Sequence, residues 1–545
     1  MKTFLTLVPE LLCLTGVVVL AATRLVAFAG RRASGASLRF PPRQLAPIDR
    51  VNILSLIAGA ALLLATLLSA VPARAQNAPA SPRDGIDVER YRFALTLSDD
   101  SDRIEGGARV RVRFLADTVR TFALDLIGKD DGGDGTGMTV ESVQRDGEDV
   151  PYEHENDRLR INAEAPKKGD QRTYRIEYAG VPANGLIIAK NRYGDRTFFG
   201  DNWPNRARHW LPTVDHPSDK APVAFRVTAP DAYQVISNGR LRERTDLPGP
   251  ATLTRWQSTE PLPTKVMVIG AARFAVEYVD TVDGVPVQSW VFPQNRKTAF
   301  REMARAERIL EFYEDRIANY PYVKLANVQS KTRYGGMENA SAIFYSENAL
   351  ADDESDEALV AHEVAHQWYG DSVTETAWPH LWLSEGFATY LTDLYFLDQY
   401  GPERFEKRMR AERKGAVRAT NELPDTPLVD TTFADPNELL TGLPYVKGAW
   451  VLHMLRARAG AETFWEGLRS YYRKHASGNA STSDFRAAME AASGQDLEHF
   501  FEQWTRRPGL PRYEGTWSYD AGAGEVRVTL RQTQDEPVFE HPLEV

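Results

Sequence analysis

The sequence predicts an α+β chain of several domains, and three observations predict it. Apolar and polar residues alternate over residues 86–272, apolar residues recur every three or four positions over 300–504, and alternation returns after Pro508-Gly509. Periods of two and 3.6 assign the first stretch to an antiparallel β domain, the second to a mainly helical domain and the third to the start of a C-terminal β domain. At about 150 residues per domain, a chain of 545 residues is too long for one core. The expected divisions are an exported or membrane-anchoring region at 1–75, the β domain at 86–275, the helical domain at 276–508, and a short or truncated β segment at 509–545.

The N-terminal region reads by itself. An apolar run over 51–72 precedes Ala73-Arg74-Ala75 and Gln76, with Arg43 and Arg50 upstream, which is the layout of a cleaved secretory signal. A retained membrane anchor is the alternative. Residues 3–29 are also apolar but interrupted by Glu10 and Arg24, so they are a second membrane helix or the product of a start codon set too early. Either way the chain is expected to be exported, to a periplasmic or extracellular location, with membrane contact only through these segments. The single cysteine, Cys13, excludes an intramolecular disulfide.

Hydrophobic residues make up 43% and charged residues 26%, as in an ordinary folded protein, and the formal charge is -10. Residues 1–75 carry eight Lys/Arg against two Asp/Glu, so the remainder is more acidic still, at 57 against 73. That balance argues against nucleic acid as a partner.

In the β domain, Tyr91, Phe93, Leu95 and Leu97, then Val110, Val112 and Phe114, fall on one face. The stretch EYVDTVDGVPVQSW, turning at Asp283-Gly284, is expected to be the hairpin that closes it. Phe300, Met303, Glu307, Leu310, Tyr313 and Ile317 then predict one helix ending before Pro321. A helix over 359–369 follows, preceded by Asp352, Asp353, Glu354, Asp356 and Glu357, whose charges suit a helix N-terminus. Another starts after Pro379, buries Phe387, Leu391 and Leu394, and ends at Gly401; further helices are expected over 448–458, 484–492 and 496–506.

The chemistry lies in AHEVAHQWYGDSVTETAWPHLWLSEGF, residues 361–387. His362 and His366 are one helical turn apart and can direct two imidazoles at one point, while Glu363 stands beside it. Glu385 supplies a third ligand if the second helix folds back on the first. Two His and one Glu suit Zn²⁺ and leave a fourth position open for water. Such a site, with Glu363 as proton acceptor, predicts hydrolysis of an amide. Asp393 either orients a ligand histidine or lies on a solvated helix face.

Three further segments extend this pattern: YGGMENASAIFY at 334–345, PYVKGAWVLHML at 444–455 and FGDNWPNRARHWLPTVDHPSDKA at 199–221. With them the chain resembles the aminopeptidase N and leukotriene hydrolase family of zinc peptidases, as a bacterial-type exported member. HEVAH, eighteen residues and Glu385 match its zinc signature, and GGMEN matches its exopeptidase motif. The resemblance implies a saddle-like β domain, a thermolysin-like catalytic domain, one Zn²⁺ per chain, and peptides with a free N-terminus as substrates. It implies that Glu338 receives the α-amino group within a substrate-binding segment that includes Gly335, Gly336 and Met337. It also implies that Tyr445 donates to the oxyanion. Asp201 stands where the family has a Gln or Glu, so it is either a second contact to the amino group or a turn residue. Asp371 replaces a frequent Asn. An endopeptidase with the same metal chemistry, or an inactive membrane-tethered scaffold, are the competing readings.

Overall fold

A computed structural model describes residues 85–542 apart from 130, 133, 350–354 and 535–537. The signal or anchor expected over 1–75 therefore lies outside the described residues, as does part of the acidic group before the metal helix. Among the described residues no helix is long and apolar enough to cross a membrane.

The alternating stretch forms an eight-stranded sheet in the order Arg240–Leu247, Ala251–Gln257, Val223–Pro230, Ile86–Thr96, Ile104–Phe114, Gln171–Val181, Gly137–Arg145 and Glu148–Asp149. In Ile104–Phe114 the alternation is almost complete: Ile104, Ala108, Val110, Val112 and Phe114 are buried, and Arg109, Arg111 and Arg113 face water. The sheet departs from the expected antiparallel pattern at one pair. Ile86–Thr96 runs parallel to Val223–Pro230, with Tyr91 opposite Val223. The two strands are separated by the rest of the domain, so a long connection is available, as parallel pairing requires.

The hairpin at 275–291 forms, with Val282 opposite Val285, but it does not close the β domain. Its second strand, Val285–Val291, pairs parallel with Leu325–Ser330, which pairs parallel with Ala342–Ser346; Gly336–Met337 completes this five-stranded sheet antiparallel to Ala342–Ser346. All six residues of Leu325–Ser330 are buried, so this strand needs partners on both edges and cover on both faces.

The helices are α1 (Arg296–Met303), α2 (Ala306–Arg316), α3 (Ser355–His366), α4 (Trp382–Tyr400), α5 (Pro402–Glu422), α6 (Gly448–Ala459), α7 (Ala461–His475), α8 (Thr482–Ser493) and α9 (Glu498–Phe501). The single helix expected over 300–317 is divided into α1 and α2. Around Ala304 the backbone tightens to three-residue spacing, Arg305 N–H to Glu302 O and Glu307 N–H to Ala304 O, both 3.4 Å. Buried Glu302 sits at this break, paired with Arg301 at 2.8 Å and Arg305 at 2.9 Å. Helices α5 and α7 had no counterpart in the sequence reading. After α9 the chain continues into the antiparallel pair Tyr513–Asp520 and Glu525–Gln532, whose Trp517 and Tyr519 are exposed. The β half and the helical half belong to one compact unit.

Candidate active site

Helix α3 carries His362, Glu363 and His366, and α4 brings Glu385 to them from its first turn. The Nε2 atoms of His362 and His366 are 3.0 Å apart, and each is 3.3 Å from Oε2 of Glu385. Three atoms able to ligate thus converge on one point. On the far side of the His366 ring, Nδ1 is 3.2 Å from the carbonyl of Tyr369 and 3.1 Å from Ser384 Oγ. A carbonyl only accepts, so Nδ1 carries the proton and the lone pair of Nε2 is free for a metal. The charge balance asks for a cation as well. Burial opposes charge on His366, yet Glu385 raises its pKa to about 10. Glu385 is itself held below the usual carboxylate range by the two histidines despite its burial. Two nitrogens and one carboxylate oxygen in this triangle fit Zn²⁺.

Glu363 is buried beside the triangle, and its pKa is pushed well up by burial, with Glu338 and Glu385 adding to the effect. Glu338 follows the short strand Gly336–Met337, and single ligand atoms of Glu338, Glu363 and His366 lie within 4.8 Å of one another. Burial also raises the pKa of Glu338, and its Oε1 has no hydrogen-bond partner. Gly336 is required here for a local reason: a Cβ on it would lie 2.3 Å from Glu363 Oε1. A Cβ on Gly335 would meet only Leu359, at 3.6 Å. Met337 is buried next to Glu338.

Tyr445 lies in the π-helical turn Leu443–Lys447 that leads into α6. Its ring is 6.2 Å from that of His362 and nearly parallel to it, at 15°. Burial and the site's carboxylates push the phenol pKa well above its ordinary value, which keeps the hydroxyl a donor. A glycine contact sets this position. A Cβ on Gly386, next to Glu385, would lie 2.9 Å from the Cα of Gly448, at the start of α6. The absence of both side chains lets the tyrosine segment lie directly on α4.

Residues 334–338, the α3 and α4 side chains, Tyr445, Trp203 and Glu412 line one open cavity of about 550 Å³. Asp201 is not among the lining residues. Its carboxylate accepts a hydrogen bond from Thr332 Oγ1 at 3.4 Å and is paired with Arg333 at 3.4 Å and Arg206 at 3.9 Å. Trp203, two residues on, reaches the cavity instead, with its ring against Tyr334 at 6.0 Å and Trp378 at 5.7 Å. Asp393 does not contact a ligand histidine through any described hydrogen bond. It is fully buried and accepts from Arg408 Nε of α5 at 2.6 Å.

Several residues that hold the site were not singled out in the sequence. Gln367 donates to the Glu338 carbonyl at 2.7 Å and to Asp371 Oδ2 at 2.9 Å, while its Oε1 accepts from Ser341 N–H and Tyr320. Asp371 is thus a buried partner of the amide that fixes Glu338. Behind Glu338, Lys265 and Glu375 form a buried pair at 2.7 Å. Gln367 and Ser384 stand directly beside His366 and Glu385 in sequence, which was the available signal; Glu412 had none beyond its place in an amphipathic helix.

Comparison with known proteins agrees with this construction. Residues 89–266 match the Peptidase M1 N-terminal domain and residues 301–504 the Peptidase family M1 domain. The chain is 27% identical over 481 residues to Probable aminopeptidase 1 of Sulfurisphaera tokodaii, covering 84% of this chain and 58% of the relative. It is 30% identical over 330 residues to human Glutamyl aminopeptidase, covering 57% of this chain and 34% of the relative. It spans about half the length of the curated relatives it matches. The crystal structure of an M1 zinc metallopeptidase from Deinococcus radiodurans superposes with a TM-score of 0.66 at 25% identity, covering 78% of this chain and 95% of that one. On its two matched domains and this shared architecture, the chain belongs to the M1 family of peptidases, and its cofactor is zinc.

Proposed function

We propose that this chain is an aminopeptidase that removes the N-terminal residue of peptides, with His362, His366 and Glu385 holding one Zn²⁺. The observation that carries the reading is the buried carboxylate of Glu338, whose Oε1 has no hydrogen-bond partner, in the same cavity as the metal triangle. A buried carboxylate oxygen without a donor is costly unless a cation completes it, and a substrate α-ammonium is such a cation.

The chemistry that zinc supplies when bound is Lewis acidity, which makes a water easier to deprotonate near neutral pH and polarises a carbonyl. Glu363, buried beside the metal triangle, takes the proton from the attacking water and returns it to the leaving amine. Tyr445 donates its hydroxyl hydrogen to the oxygen on which charge develops. Glu338 fixes the amino terminus, so the bond presented to Glu363 is the first one. Met337 and Gly336 form the edge along which the substrate backbone lies.

The test uses alanyl anilides and peptides with zinc present. Free peptides should be shortened one residue at a time, and N-acetylation should abolish cleavage. Equal cleavage of acetylated and free peptides would replace this reading with an endopeptidase. We also propose export through residues 1–75, supported by the apolar run and Ala73-Arg74-Ala75. N-terminal sequencing of secreted protein should begin at Gln76, and retention of residue 1 in a cytosolic fraction would refute it.

A further inference from the structure

Among the described residues the cavity is lined by four carboxylates, Glu338, Glu363, Glu385 and Glu412, and by no lysine or arginine. The function proposed above, on which this inference rests, uses three of them: Glu385 on the metal, Glu363 on the proton and Glu338 on the α-ammonium. Glu412 is left over. It projects from α5, three residues before Gly415, where an added Cβ would lie 3.3 Å from the Val446 side chain. Positions three apart share a helix face, so Glu412 is aimed at the same Tyr445–Val446 wall of the cavity. Its Oε2 is buried without a hydrogen-bond partner, and burial raises its pKa. The neighbouring cation, Arg408, is bonded to Asp393 instead.

Glu412 and Glu338 line the cavity from different elements, the one from α5 and the other from just after the strand Gly336–Met337. Glu338 is on the sheet side, with its carbonyl fixed by Gln367, the residue after the metal helix. Glu412 is on the α4–α5 side, where Thr389, one turn past Glu385 and bonded to its carbonyl at 2.8 Å, also lines the cavity. The electrostatic neighbourhoods agree: Glu338 acts on His366, whereas Arg408 acts on both Glu412 and His362. A peptide whose amino group meets Glu338 and whose first bond lies over the metal triangle continues toward Glu412 with its second residue, since successive Cα atoms are about 3.8 Å apart.

We propose that Glu412 is a specificity residue that selects substrates with lysine or arginine in the second position. The ligand chemistry is a dication: an α-ammonium at one end and a side-chain ammonium or guanidinium at the other, each meeting a carboxylate with one oxygen that otherwise lacks a hydrogen-bond partner.

Peptides Ala-Lys-Ala-Ala, Ala-Ala-Ala-Ala and Ala-Glu-Ala-Ala would be compared on the full chain, Glu412→Gln and Glu412→Lys. Each kcat/KM would be divided by that variant's rate on alanine p-nitroanilide, which has no second residue. Wild type should prefer Lys over Glu at this position by at least about tenfold, through KM. Glu412→Gln should reduce the ratio to near one, and Glu412→Lys should invert it. A wild-type ratio near one, or an unchanged ratio in Glu412→Gln, would overturn the proposal. Binding of the same peptides to Glu363→Gln, measured calorimetrically, reads the preference without turnover. A wild-type chain that fails to cleave these peptides while Glu363→Gln keeps the binding preference refutes the aminopeptidase reading alone, and loss of the binding preference refutes this one.

Discussion

Gly336→Ala is the most direct test of how the recognition strand and the metal helix fit together. The added Cβ would lie 2.3 Å from Glu363 Oε1, 2.4 Å from its Cδ and 2.6 Å from its Cγ. Carbon and oxygen at rest are about 3.4 Å or more apart, so the carboxylate or the strand must move by roughly 1 Å. The obstacle is not one flexible tip, because three successive atoms of a buried side chain are struck. A misplacement of about 1 Å at a reacting group costs on the order of 10²-fold in rate. Gly336→Ala should therefore lower kcat about 10²-fold, with bound zinc unchanged because His362, His366 and Glu385 are not touched, and overpacking should cost about 1–3 kcal/mol of stability. Stopped assays on alanyl anilide, metal analysis and thermal unfolding supply the three readings. Gly335→Ala separates this account from a role in substrate contact. A Cβ there meets only Leu359 at 3.6 Å, so any loss should lie in KM with kcat within about threefold of wild type. A Gly336→Ala enzyme with wild-type kcat would refute the close approach as the reason for the glycine.

Four other outcomes are expected. Glu363→Gln should retain zinc and lose about 10²-fold to 10⁴-fold in kcat, and activity near wild type would remove Glu363 as the base. Tyr445→Phe should reduce kcat about 10²-fold with little change in KM, and a change confined to KM would contradict the oxyanion role. Chelation should abolish activity and lower the unfolding temperature, with both restored by zinc, because a ligand bound only by the folded state stabilises it. Lys324 gives a pH-dependent test away from the metal. Its Nζ is buried against the carbonyls of Ser237 and Ser341, both at 2.9 Å, and burial lowers its pKa to about 7. Unfolded, it titrates near its ordinary value, so between the two pKa values unfolding takes up a proton and stability rises with pH, by up to about 1.4 kcal/mol per unit. Denaturant titrations from pH 7 to 9 should show a shallower rise in Lys324→Met, and equal slopes would refute the shifted lysine.

Much of this fold was legible because two periods carry most of the information. Alternation located the large sheet, since strands such as Ile86–Thr96, Ile104–Phe114 and Val223–Pro230 each have one buried face, and the spacing of His362, His366 and Glu385 located the metal triangle, because helical geometry fixes where such side chains meet. Pairing partners were less legible. The hairpin at 275–291 looks the same whether it closes one sheet or edges another, and only the fully buried strand Leu325–Ser330 decides it. Helix α5 shows its apolar face at Phe405, Met409, Ala416 and Ala419 among many charges, so its presence and that of Glu412 in the cavity were not apparent. Asp201 shows a related limit. A residue's place in a motif does not fix its side-chain direction, and here Arg206, Thr332 and Arg333 hold the carboxylate while Trp203 faces the cavity.

The two halves of the site come from segments far apart in sequence, and what joins them is small. In the proposed reaction hydrolysis depends on α3 and α4, and recognition on Glu338, which follows the strand Gly336–Met337. One amide, Gln367, ties the Glu338 carbonyl to the metal helix, and one missing side chain, at Gly336, lets that strand pass over Glu363. A third contact, Gly386 against Gly448, sets Tyr445 over His362. None of these contacts has to touch the substrate, yet each fixes a distance between groups that must act on the same bond. Because catalysis falls steeply with sub-ångström errors while stability changes gradually, substitutions at Gln367, Gly336, Gly386 and Gly448 should reduce turnover more than they reduce unfolding temperature. That separation distinguishes contacts that position the chemistry from those that only hold the fold together.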